Sequence, residues 1–461
     1  MARKTRRPRV ASAGPTFRQK FMASAADVLV LAIGVGVNFS IHFVGDLYLA
    51  EVLLLLTLPA LVFLRGRRAL ATSLRPFYIF LGIWLLGQVI ADASNHTALY
   101  DRVRGSALIV FFGLNVLGLS ILLSHNEKRK VIFFFGLAVG ALASVKLQPS
   151  PAVEDYPWKF GYGWGTMLLV MLVASYLYSR RRYVGSELLV LGLCGINLIF
   201  NFRSPILMLM LTLALVYPII PEQIGGLRIL PESQLLRLVT VAILAIGAAG
   251  IADASVKFVT RAGYISEDAQ AKNEAQERSG TLLLGGRPEF TVGLQAALDS
   301  PIIGHGSWAK DFKYFEILND TLVEEGVVGY NSGFDLGEDI PLIPGHSHIV
   351  TAWIWAGIGG LVFWLYVIFF VLRGITLAAL TRPPFAPIYA YLLINMFWDI
   401  LFSPFGANRR TIEAALIVIV ADMAGRRLAL VETSWRRMGA AAPRPALAPP
   451  SDRTSTSTGL R

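Results

Sequence analysis

His346 and His348 stand two residues apart in "PLIPGHSHIVTAWIWAGIGG", which runs from Pro341 to Gly360, and they are two of only six histidines in the chain. A Pro/Gly turn precedes them and an apolar stretch follows, so a helix is expected to begin just after Gly345, with Ser347 as its N-cap. Backbone N–H groups and the positive end of the helix dipole then face His346. That position disfavours the imidazolium and leaves a neutral ring able to take a proton from a hydroxyl. The competing reading is an interfacial histidine that only hydrogen-bonds a loop carbonyl.

Arginines supply the second chemistry. In "LIFNFRSPILMLMLTLALV", Arg203 lies between two apolar runs. Ser204 and Pro205 read as an N-cap followed by proline at the first helical position, which puts Arg203 beside an anion-binding helix terminus. A guanidinium snorkelling to lipid headgroups is the plainer alternative. Arg287 follows Gly285 and Gly286 in "GGRPEFTVGLQAALDSPIIGHGSW", where the glycines let the backbone turn tightly or approach a ligand; a solvated loop arginine has the same look. Arg409 and Arg410, in "NRR", either bind an anionic lipid or anchor a helix. Asp399 and Glu51 fall in or near apolar runs, where pairing with an arginine is the simplest account.

A neutral histidine base with arginines near helix N-termini suits an anionic substrate arriving from a bilayer and a polar acceptor arriving from water. The sequence has no metal-ligand spacing and no nucleotide-binding loop, so neither metal nor cofactor is expected. Its single cysteine, Cys194, rules out a disulfide within the chain.

These residues need a membrane scaffold to bring them together. The 461-residue chain is 54% hydrophobic and 16% charged, against about a quarter charged in an ordinary soluble chain. Repeated apolar runs point to an all-α polytopic membrane protein with about twelve transmembrane helices and one long loop containing short helices. The spans fall near 26–43, 47–64, 77–92, 105–124, 131–147, 163–179, 186–201, 204–221, 238–253, 349–372, 385–403 and 411–425. Residues 1–25 form a basic N-terminal segment, 26–253 carry the first nine helices, 254–348 the long loop, 349–425 the last three helices, and 426–461 a Pro/Ser/Thr-rich disordered tail. The basic "MARKTRRPR" precedes an uncleaved first helix rather than a signal peptide.

The net charge of +11 is concentrated in short loops such as "RGRR", "EKRK" and "SRRR". The positive-inside rule accounts for that pattern without nucleic acid. Both termini are then expected to be cytoplasmic, and the long loop extracytoplasmic, beside His346, His348, Arg203, Arg409 and Arg410.

"GHSHIVTAWIWAGIGG" resembles the His-Asn/Ser signature of the bacterial O-antigen ligase superfamily, in which a glycine follows about eleven positions after the histidine. His346, Ser347 and Gly357 occupy those positions. "GGRPEFTVGLQAALDSPIIGHGSW" is similar to the family's loop stretch, an arginine before a short helix and then Pro-apolar-apolar-Gly. "NFRSPILMLML" resembles its arginine at the outer start of a span. The motifs cover residues 186–425 and the rest matches in topology only. Asn201-Phe202 before Arg203, Pro205 after it, and Ile349-Val350 depart from the pattern and bear on substrate identity.

The resemblance implies an inner-membrane glycosyltransferase of GT-C-like type that takes a glycan from an undecaprenyl-diphosphate carrier. The acceptor would be a hydroxyl of lipid A-core or another glycan at the periplasmic face. It further implies His346 as general base and Arg203 and Arg287 as holders of the diphosphate, with His305 and His348 as substitute bases or substrate contacts. A polysaccharide polymerase using the same donor is the close alternative. An anion transporter is the rival from another class, disfavoured because the unusual residues gather at one membrane face and no repeated halves are visible.

Overall fold

The computed structural model describes residues 17–43, 45–65, 74–149, 151–200, 202–217, 288–324 and 341–441, with isolated positions 243, 247 and 250. Helix α1 (Phe17–Gly36) leads into a two-stranded antiparallel hairpin, β1 (Ser40–Phe43) and β2 (Gly45–Tyr48), and then into α2 (Leu49–Arg65). Helices α3 (Arg75–Ser94), α4 (Leu99–Leu123) and α5 (Glu127–Leu147) follow. A short α6 (Pro151–Asp155) and a π-helical turn (Pro157–Tyr162) precede α7 (Gly163–Ser179), α8 (Tyr183–Ile199) and α9 (Arg203–Val216). Beyond the next described stretch come α10 (Pro288–Asp299), α11 (Phe312–Glu324), α12 (His348–Thr381), α13 (Ala386–Phe402) and α14 (Ala407–Ala441).

The fold is all-α apart from that hairpin. Among the described residues five helical segments are long and apolar enough to cross a membrane: Arg75–Ser94, Leu99–Leu123, Glu127–Leu147, Pro157–Ser179 and His348–Thr381. Five shorter apolar helices coincide with other expected spans. The expected span 238–253, most of the loop 254–348 and the end of the tail lie outside the described residues.

Three expectations change. The apolar run 26–43 is not one helix: α1 ends at Gly36 and the run finishes as β1. Hydropathy does not distinguish the two, whereas the β-favouring Phe39, Ile41 and Phe43, before a Gly45 with φ +81°, do. Helix α9 begins at Arg203 itself, with Phe202 in the N-cap position and no side-chain cap from Ser204. The last helix continues to Ala441 through a proline-free stretch of good helix formers.

Packing explains which helices sit at the centre. From Ala414 to Ala424 nearly every residue of α14 is buried, as expected of a helix apolar on all sides. Helix α3 packs along α12, and their backbones meet where a Cβ on Gly87 would lie 2.8 Å from the Ala356 carbonyl oxygen and 3.1 Å from Gly359 Cα. Small residues permit that approach between apolar helices, where close van der Waals contact is the main attraction.

Candidate functional site

Ser347 caps α12 as expected: its Oγ accepts from Val350 N at 3.3 Å and donates to the Ile400 carbonyl at 2.9 Å. The first bond satisfies a free amide of the helix start, and the second fastens that start to the end of α13. His346, immediately before the cap, is exposed. His348 is fully buried, with Nδ1 2.5 Å from the Ser403 carbonyl oxygen and Nε2 2.7 Å from Glu413 Oε1. Trp364 and Phe405 enclose its ring. Two histidines separated by one residue thus have opposite settings, because the chain enters the helix between them.

Helix α12 is broken at Gly357, where φ is +57° and ψ −145°. Only glycine holds that conformation cheaply, and the segment from 302 to 306 occupies the break. Ile358 N donates to the Ile302 carbonyl (3.1 Å), His305 N to the Ile354 carbonyl (2.6 Å) and Gly306 N to the Trp355 carbonyl (3.1 Å). Backbone groups freed by a break inside an apolar helix require such replacement partners. The "PIIGHG" and "GHSH…G" motifs, far apart in sequence, are therefore hydrogen-bonded to one another.

A polar stripe on α3 completes this joint. Gln88 Nε2 donates to the Trp355 carbonyl (3.3 Å) and Asn95 Nδ2 to the Gly304 carbonyl (3.1 Å). Asp92 takes Ser307 N on Oδ1 (2.6 Å) and Ser307 Oγ on Oδ2 (2.8 Å). Residues 88, 92 and 95 share one face at helical spacing, a signal legible in the sequence as polar residues recurring every three to four positions in an apolar run. Glu413 was legible in the same way, as an acid inside "TIEAALIVIVAD", yet was not singled out beside Asp399 and Glu51.

His305 sits in the loop that fills the break, and its Nε2 donates to the Ala296 carbonyl (2.8 Å). The preceding helix, α10, packs against α12 and lies close enough to the His346 turn that a Cβ on Gly293 would be 2.6 Å from the Pro344 carbonyl oxygen. Asp299, at the end of α10, accepts from Lys313 Nζ and Tyr314 OH, each at 2.7 Å. Those two hydrogen bonds hold its carboxyl below the usual aspartate range, while burial pushes the Tyr314 phenol up.

Arg203 opens α9 and is half-buried. Arg287 lies outside the described residues, one position before α10. Arg409 forms an ion pair with Asp399. Arg410 is buried, its Nε and Nη2 each 2.7 Å from an oxygen of Glu51, and Nη2 also reaches the Asp46 carbonyl at 3.1 Å. Both acids in apolar runs thus have arginine partners, and both "NRR" arginines have carboxylate partners. Among the described residues no cluster of His, Cys, Asp or Glu could hold a metal ion.

No protein-family model matches the chain, and no curated protein matches it.

Proposed function

We propose that the protein is a membrane glycosyltransferase of O-antigen ligase type, with both termini cytoplasmic and about twelve spans in a bacterial inner membrane. His346 would act from the extracytoplasmic face as general base on an acceptor hydroxyl. The donor would be a glycan on an undecaprenyl-diphosphate carrier, with Arg203 and Arg287 binding the diphosphate as it leaves. Charge-assisted, bidentate arginine–phosphate bonds suit that role. Donors aimed at charge that grows in the transition state typically contribute about 3 kcal/mol each.

The observation that supports this reading most is the interlock at Gly357. The two segments whose resemblance suggests one site are bonded together there, and the His346 turn packs against the helix that follows Arg287. His346 is exposed, as a base serving an external acceptor must be.

The test is glycan transfer in membranes carrying His346→Ala, with expression and insertion measured alongside. Transfer should be abolished while the protein remains inserted. Wild-type transfer rates would remove the base and the reading with it. The deletion phenotype distinguishes acceptors: polymer left on the carrier lipid marks a ligase, and single repeats left on it mark a polymerase.

A further inference from the structure

Arg104, in the second turn of α4, has its guanidinium carbon 3.5 Å from the centre of the Trp308 ring and 5.5 Å from that of Tyr100. Among the described residues the contacts shown for its guanidinium are with these two rings. The contrast with Arg410, Arg409 and Arg129, each on an acid, is plain. An arginine stacked on an indole spends its face on the ring and leaves the N–H groups of its edge unused.

The platform beneath it is incomplete in the same sense. Trp308 Nε1 is buried and, among the described residues, has no hydrogen-bond partner. Because Arg104 lies over that same ring, the orphan indole N–H is beside the guanidinium. Trp308 is also held at φ +53°, a left-handed conformation that costs a non-glycine residue about 1–3 kcal/mol. Around it the backbone is fixed: Ser307 is tied to Asp92, and the ring's other contact is Trp355, 5.0 Å away. A Cβ on Gly45 would lie 3.2 Å from Arg104 Nε, so the hairpin turn closes over the arginine stem.

We propose that Arg104 and Trp308 form a binding site for a phosphate group at the end of the bundle where α4 begins and the 302–308 loop docks. Among the described residues the two groups left open there, the guanidinium edge and the indole N–H, are donors, so the ligand presents acceptors and negative charge. A tetrahedral phosphate can place two oxygens on the guanidinium fork and a third on the indole N–H. A carboxylate would use both oxygens on the fork and leave the indole unmet. The phosphate belongs either to a lipid headgroup or to a soluble phosphate, and the site does not depend on the transfer reaction.

Protein labelled with 15N in its nine tryptophans, held in a phosphate-free detergent, reports each indole N–H separately. Trp308→Phe identifies the Trp308 signal. Short-chain phosphatidylglycerol should shift that signal saturably, and the matching diacylglycerol should not. Arg104→Gln should weaken the response at least about tenfold, the cost of losing charge-assisted hydrogen bonds, with the other indole signals reporting an intact fold. Should that variant fail to fold, Arg104→Lys carries the comparison, since lysine keeps the charge without the fork and should still bind more weakly. Saturation by inorganic phosphate at similar concentrations assigns a soluble ligand; a response to the lipid alone assigns a headgroup. A Trp308 signal unmoved by both phosphates, or moved equally in every Arg104 variant that folds, overturns the site.

Discussion

His348 Nε2 lies 2.7 Å from Glu413 Oε1, while His348 Nδ1 lies 2.5 Å from the Ser403 carbonyl oxygen. A carbonyl only accepts, so Nδ1 carries a hydrogen, and a second proton is shared between Nε2 and the glutamate. Both side chains are buried, and among the described residues Glu413 Oε2 has no hydrogen-bond partner. The pair joins the first residue of α12 to the end of α13 and the first turns of α14. It fixes the chain two residues after His346.

Removing one member should therefore cost more than a surface change. Glu413→Ala leaves the His348 ring facing a cavity, and breaking a buried pair costs about 3–5 kcal/mol. Glu413→Gln should cost less, because its amide can donate to Nε2 of the neutral ring. Thermal unfolding of the two variants in detergent checks the order, and equal losses would show that an amide at position 413 does not replace the carboxyl's bond to Nε2.

Gly357→Ala addresses the helix break. The alanine Cβ would collide with the Ile302 carbonyl in a backbone conformation that side chains rarely adopt. Strain alone costs about 1–3 kcal/mol, and relieving it means expelling the 302–306 segment. Hydrogen exchange should show the amides of His305, Gly306 and Ile358 losing protection together, while α5 and α7 remain protected.

Acid should weaken the α10–α11 contact. Asp299 titrates lower in the folded protein than in the unfolded chain, so its contribution is present above the ordinary aspartate value of about 4. It is lost as pH falls through the folded-state value. Asp299→Asn should abolish the acid sensitivity of that contact, read as proteolytic cleavage within α11 as pH falls below the ordinary value of about 4. Unchanged sensitivity in the variant would assign it elsewhere.

Arg203→Lys tests the diphosphate role. Lysine keeps the charge but cannot reproduce the guanidinium fork, so transfer should fall by about tenfold or more. Full activity would make headgroup anchoring the better account of Arg203.

Much of the scaffold was legible in the chain. Apolar runs located the helices, because burying or solvating a span in lipid demands a continuous apolar stretch, whatever its neighbours do. Ser347 was legible as a cap for a local reason: a hydroxyl three residues before a free amide. The pairing of Glu51 and Asp399 with arginines was expected because an unpaired acid in an apolar run is costly; which arginine each would take was not.

Other features depended on distance in sequence. Strand β1 lay within a run whose hydropathy fits helix equally well. His346 and His348 were indistinguishable as types, and His348 is the buried one because Ser403, Phe405 and Glu413 arrive from later in the chain to enclose it. The partners of Gly357 come from residues 302–306, a pairing no local pattern encodes. Residue types and spacing fixed the apolar helices and their local caps, since those rest on interactions within a few turns. Tertiary structure alone decided which histidine is exposed and which carboxylate Arg409 and Arg410 each take, because burial and pairing are set by groups tens or hundreds of residues away.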